Sequence, residues 1–241
     1  MKTNAVLVAL LAACAVAATA AEPRCPLIPM GAITGKPDEQ TVKETLEAYK
    51  SVGVDQYLIY PRSGLEYEYL GDEWLQMCEW FCKHAKRLDM TIWLYDEYNW
   101  PSGSCKGRVP AENPDFESRQ YAVYKNADGT YDWKVVHSPG WADNYSFPAM
   151  QRFIELTHKK YEQRLGPYLG STVAGIFTDE PSHPTPVSLD RKPALLFRYF
   201  DGAEAEYKAA TGRDLRADVQ AFLMDSTKDE VWADYYGLLG D

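Results

Sequence analysis

The chain has five cysteines and four histidines, and none of them falls in a Cys-x-x-Cys or His-Glu-x-x-His spacing. That removes the common sequence frameworks for a zinc site, and no metal or other cofactor is expected. Basic side chains are in deficit, with 25 Lys and Arg against 35 Asp and Glu and a formal charge of −10. Nucleic acid and anionic membrane surfaces are poor partners for such a chain. No apolar stretch reaches the roughly 20 residues that a bilayer-spanning helix needs, so no membrane span is expected. Internal repeats and low-complexity stalks are also lacking, which argues against a structural surface protein.

What is present suits a globular protein: 241 residues, 46% of them hydrophobic, enough for one large domain or two small ones. The first twenty residues stand apart. Lys2, an apolar run from Ala5 to Ala18 and the small-residue site Ala18-Thr19-Ala20 read as a signal peptide over 1–20, cut near Ala21. The domain is then residues 21–241, secreted or periplasmic. Leu11-Ala-Ala-Cys14 supports a competing reading, a lipobox that would anchor the protein through Cys14. Cys78 and Cys82 fall on the apolar face of a predicted helix, where a free thiol packs as a small hydrophobe.

Beyond the leader, strand and helix alternate. Strands are expected at Leu27 to Ile33, Val54 to Tyr60, Met90 to Tyr95 and Thr172 to Phe177. Asp38 should cap a helix carrying Val42, Leu46 and Tyr49 inward, ended by Gly53. Pro61 to Gly64 reads as a turn, and Asp72 as the cap of a helix with Trp74, Met77, Cys78, Phe81, Ala85 and Leu88 on one face. Residues 101–145 interrupt the rhythm with a hairpin, Tyr121 to Lys125 and Tyr131 to His137 around Asp128-Gly129, expected as an insertion over the active-site face. One long amphipathic helix then carries Met150 to Leu165, and from Pro193 the chain reads as helical nearly to its end, interrupted near Gly212 and Asp225. Short buried strands joined by helices imply an α/β fold with a parallel sheet, in the order of a (β/α)8 TIM barrel. Only about four β/α units are found, so the barrel is expected to be incomplete, with open sheet edges that favour self-association.

Two of the strands end in an acidic pair and a proline-bearing turn: Thr91-Ile-Trp-Leu-Tyr-Asp96-Glu97-Tyr-Asn-Trp100-Pro101-Ser-Gly103 and Ala174-Gly-Ile-Phe-Thr-Asp179-Glu180-Pro181. The carboxyl ends of parallel strands wall the ligand site of an α/β barrel, and a carboxylate there is desolvated unless it has a partner or a task. Glycoside hydrolysis requires two carboxyl groups, one protonating the leaving oxygen and one ionised as nucleophile or base. Glu180 and Glu97 are the expected catalytic pair. Asp96 and Asp179 compete as turn caps or as substrate contacts. Tyr95, Tyr98 and Trp100 supply faces for the C–H patches of sugars, Tyr60 is a further expected substrate contact, and Arg62, Asn99 and His183 supply hydrogen bonds to hydroxyls, with a structural Arg62–Asp96 ion pair as the competing reading. An acidic chain with 13% aromatic residues suits a neutral polyhydroxylated ligand.

The run Gln56-Tyr-Leu-Ile-Tyr-Pro-Arg-Ser-Gly-Leu-Glu-Tyr-Glu-Tyr69, with the two acidic strand ends, resembles the barrel of secreted bacterial glycoside hydrolases similar to family 106, the α-L-rhamnosidases. The resemblance spans about residues 26 to 240. It implies an acid/base role for Glu180, with Asp179 standing where the wider barrel clan has Asn, and a second carboxylate from a late strand. The family is associated with calcium, for which no ligand set is matched here.

Overall fold

The structure is a computed structural model that describes residues 27–181, 189 and 191–239. The proposed leader, Cys14 and His183 lie outside the described residues. The first half alternates β1 (Met30–Gly35), α1 (Glu39–Ser51), β2 (Gln56–Leu65), α2 (Asp72–Arg87) and β3 (Thr91–Tyr95). A short α3 (Arg108–Glu112) leads to β4 (Glu117–Lys125) and β5 (Tyr131–Ala142), then α4 (Phe147–Leu156), α5 (His158–Leu165) and β6 (Val173–Phe177). The last part is β7 (Leu195–Arg198), α6 (Ala203–Thr211), α7 (Leu215–Met224) and α8 (Glu230–Gly237). No helix among the described residues is long and apolar enough to cross a membrane.

Strands β1, β2, β3 and β6 form one parallel sheet in that order. Among the described residues it does not close into a barrel. Each β/α unit follows from local chemistry. The Asp38 carboxylate accepts the Thr41 N–H at 2.8 Å and caps α1, Val42 and Leu46 turn inward, and Gly53, at φ +83°, lets the chain leave. In α2, Trp74, Met77, Cys78, Phe81, Cys82 and Ala85 bury one face, while Asp72 and Glu73 in the first turn and Lys86 and Arg87 in the last complement the helix dipole. Asp72 is the first helical residue and not the cap; that position is Gly71, which has no side chain to bond. Tyr57, Ile59, Ile92 and Leu94 share a core with α1, α2, α4 and α5. By strand alternation Met30, Leu58, Tyr60, Trp93, Tyr95 and Phe177 point to the opposite face, where Met30 and Phe177 stay exposed.

Three further expectations are corrected. Pro61 to Gly64 is no turn but the end of β2, which still pairs with β1 after its pairing with β3 stops at Ile59 and Leu94. A proline is tolerated there because no β3 ladder bond needs its N–H. The single helix expected through Leu165 breaks at Thr157, whose hydroxyl donates to the Phe153 carbonyl at 2.7 Å and bends the backbone. Residues 195–198 are a strand, not the start of a helix, because Leu195 to Phe197 pair with Tyr121 to Val123 of β4. The expected hairpin is present as β4 and β5, inserted between β3 and β6. β4 is the central strand of a second, antiparallel sheet, β5-β4-β7, whose core holds Tyr121, Val123, Phe197, Tyr207, Val219 and Tyr235. A buried Arg198–Asp143 ion pair joins β7 to the segment after β5, and the Tyr235 hydroxyl donates to the Arg198 carbonyl at 2.6 Å.

Candidate functional site

Tyr95 pairs with Phe177 across the sheet, so the two acidic pairs leave adjacent strands side by side. Along β3, Leu94 and Asp96 face the helix layer. Asp96 is fully buried and accepts the Ser102 hydroxyl at 2.6 Å and the Thr178 hydroxyl at 2.7 Å. His158 Nε2 stands 3.7 Å from Asp96 Oδ2. Burial pushes the Asp96 carboxyl above its ordinary value, opposed by the two hydroxyls and by His158; burial lowers the His158 imidazole, opposed by Asp96. The break at Thr157 sets the histidine. Since the Thr157 hydroxyl donates to Phe153, the 2.8 Å contact from His158 Nδ1 places a proton on Nδ1 and leaves Nε2 toward Asp96.

Glu97 is equally buried but differently held. Its Oε1 accepts the backbone N–H groups of Tyr98 at 2.8 Å and Lys106 at 2.6 Å, and its Oε2 those of Ser104 at 2.8 Å and Cys105 at 2.7 Å. Burial pushes this carboxyl up and the four amides pull it back toward the ionised form. The loop needs such a clamp, because Asn99, Cys105 and Lys106 all have left-handed backbones, at φ +63°, +50° and +57°. With both oxygens bonded twice, Glu97 holds the loop and has no free face for a substrate, which corrects its expected catalytic role.

On the sheet's open side, Asp179 accepts the Tyr95 hydroxyl in a short hydrogen bond. Its backbone N–H donates to Ser102 Oγ at 2.8 Å, and the Ser102 N–H returns to the Asp179 carbonyl at 2.8 Å. Ser102 therefore ties the two acidic strand ends together. Glu180 is exposed, has φ +39° and makes no hydrogen bond to a described residue. A positive φ on a side-chain-bearing residue that precedes proline is a strained backbone, and such strain clusters at functional sites.

Tyr60 and Tyr95 lie with ring centroids 4.3 Å apart. Arg62 donates to the Tyr60 hydroxyl, and its guanidinium carbon sits 4.8 Å from the Tyr60 ring and 4.6 Å from the Trp100 ring. It does not pair with Asp96, whose nearest basic side chain is the His158 imidazole. Trp100 remains 49% exposed. Asn99 faces β2 instead of the open side: its Oδ1 accepts the Ser63 N–H at 2.9 Å, anchoring the strand's tail. Ser102, Thr178 and His158 belong to the site and were not singled out from sequence. Ser102 stood within the Trp-Pro-Ser-Gly run, whereas nothing local to His158 marks its pairing across the fold. Among the described residues no group of three or more His, Cys, Asp or Glu is disposed to hold a metal ion. A cleft of about 710 Å³ lined by Lys36, Tyr67, Glu73, Trp80 and Arg164 shares no residue with this cluster.

The fold and site define an α/β protein with a carboxylate-bearing, aromatic-walled strand-end site. Comparison of the chain with protein-family models, with curated proteins and with solved structures finds no match.

Proposed function

We propose that the protein is an exported, carbohydrate-active hydrolase that cleaves O-glycosidic bonds with Glu180 as general acid/base. The observation that carries this reading is the contrast between the carboxylates at two adjacent strand ends. Asp96 and Glu97 are buried and fully bonded, whereas Glu180 is exposed on a strained backbone beside the half-buried Asp179. Asp179, held by the Tyr95 hydroxyl, takes the place of Glu97 as the partner carboxylate. Trp100, Tyr60 and Tyr95 offer the faces that sugars stack on. The resemblance to family 106 supports the same assignment, and the apolar N-terminal run supports export.

The test is hydrolysis of a panel of aryl glycosides, α-L-rhamnoside among them, by the wild type and by Glu180→Gln. Removing a general acid/base lowers the rate by about 10²–10⁴-fold. A Glu180→Gln rate within about threefold of wild type removes Glu180 from the chemistry.

A second reading is binding without turnover, favoured by the commitment of Glu97 to its loop and by the sheet face on which Met30 and Phe177 are exposed. That face also favours self-association. A folded protein that binds oligosaccharide but hydrolyses none of the panel selects this reading, and light scattering reads the oligomeric state.

A further inference from the structure

Arg62 pairs with no acid among the described residues. Among the described residues no carboxylate lies within ion-pairing distance of it, although acidic side chains outnumber basic ones in the chain. Among the described residues it donates to the Tyr60 hydroxyl, which leaves further guanidinium N–H donors for another acceptor. The Tyr60 and Trp100 rings, 4.8 and 4.6 Å from the guanidinium carbon, both hold the fork, so less side-chain freedom is lost when it engages a ligand.

The fork also has a defined relation to the proposed reacting centre. The Tyr60 hydroxyl accepts from Arg62, the Tyr60 ring lies 4.3 Å from that of Tyr95, and the Tyr95 hydroxyl donates to Asp179, so the guanidinium is two tyrosines away from the strand-end carboxylate. A sugar lying on the free face of Trp100, with its anomeric end toward Asp179 and Glu180, presents its far substituents to Arg62.

We infer that Arg62 selects a sugar bearing a carboxylate, a hexuronate or a residue of similar charge, at this site. The planar fork matches a carboxylate in a bidentate manner, and an arginine that pairs with no carboxylate among the described residues would otherwise be surplus in an acidic protein. The inference refines the composition-level expectation of a neutral ligand and rests on the strand-end site being the sugar site, as proposed above.

The experiment is a fluorescence titration at pH 7 of the protein with methyl glucuronide and methyl galacturonide, each against its neutral hexoside. Trp100 provides the signal, and Arg62→Met and Arg62→Lys are titrated in parallel after circular dichroism confirms their fold. Each uronide is expected to bind roughly ten- to a hundredfold more tightly than its hexoside. Arg62→Met should invert that order, since only acidic groups then face the ligand's charge, and Arg62→Lys should keep part of the preference. Equal affinity for uronide and hexoside, a preference that survives Arg62→Met, or no uronide binding overturns the inference. The hydrolase reading fails separately: uronide preference without hydrolysis of any glycoside leaves the inference standing, and hydrolysis of neutral glycosides without uronide preference removes only the inference.

Discussion

Replacing Glu97 by Gln distinguishes a loop clamp from a catalytic group, because the two roles give opposite results in the same assays. In the wild type each carboxylate oxygen accepts two backbone N–H groups, at distances of 2.6 to 2.8 Å. Glutamine keeps one oxygen and presents an amide NH₂ where the other stood. Two buried N–H donors then face a donor, either Tyr98 and Lys106 or Ser104 and Cys105 according to how the amide turns. Hydrogen bonds to a charged acceptor contribute about 1.5–3 kcal/mol each, so losing two costs about 3–6 kcal/mol. The left-handed backbones of Asn99, Cys105 and Lys106 add to the drive for the loop to open. With about 1–3 kcal/mol per molar for a urea slope, the midpoint of unfolding should fall by about 1 M or more if the loop and core unfold together. If the loop opens alone, hydrogen exchange at Tyr98 and at 104–106 should accelerate with the midpoint unchanged. Glu180→Gln, by contrast, alters an exposed carboxylate and should stay within about 0.5 kcal/mol of wild type. The clamp argument is refuted by a Glu97→Gln protein with wild-type midpoint, wild-type protection of those amides and only a lower turnover.

Ser102→Ala should destabilise by about 2–4 kcal/mol, since it strands Asp96 Oδ1 and the Asp179 N–H together; urea unfolding reads this, and a loss below about 1 kcal/mol contradicts the role of Ser102 as the tie. Asp143→Ala leaves the Arg198 guanidinium buried without its acid and should cost about 3–5 kcal/mol, part of which the double variant with Arg198→Met should restore in thermal unfolding. Burial holds the folded His158 imidazole below its ordinary value, so the unfolded chain takes up a proton first as pH falls. Its contribution is present above pH about 6.5 and is lost as pH drops from there toward the folded value, so His158→Gln should show a flatter stability profile between pH 7 and 5. Parallel profiles for the two proteins would remove His158 from the acid response.

The parallel sheet was legible because each strand is a short buried run bracketed by helix punctuation, Asp38 and Gly53 being the clearest marks. The misread segments share a cause, which is that their conformation is fixed by a partner far along the chain. Leu195 to Arg198 carries no strand period of its own and becomes a strand because Tyr121 and Val123 present an open edge. Pro61 to Gly64 has the composition of a turn and is held extended by β1 on one side and by Asn99, bonded to the Ser63 N–H, on the other. Thr157 sits within a continuous amphipathic pattern, so periodicity runs straight through the place where its hydroxyl bends the chain.

At the site, sequence located the acids but could not divide the labour among them. Alternation along a strand says that only one member of each pair continues the inward row, and the structure gives that place to Asp179 in the second pair. In the first pair the two acids face different layers and both are bonded, Asp96 to hydroxyls beneath the sheet and Glu97 to a loop that returns from Ser104 to Lys106. A carboxylate at a strand end is therefore ambiguous until the returning backbone is placed, because four amides remove it from chemistry as completely as burial does. The site retains an exposed Glu180, an Asp179 held by Tyr95 and, beyond the neighbouring Tyr60, an arginine that pairs with no carboxylate among the described residues. That arrangement has its negative charge at one end and its positive charge at the other, and a ligand that matches it must be polar in the same sense. A sugar whose ring carries a carboxylate away from the scissile bond meets that demand, whereas a neutral sugar leaves the Arg62 donors to water.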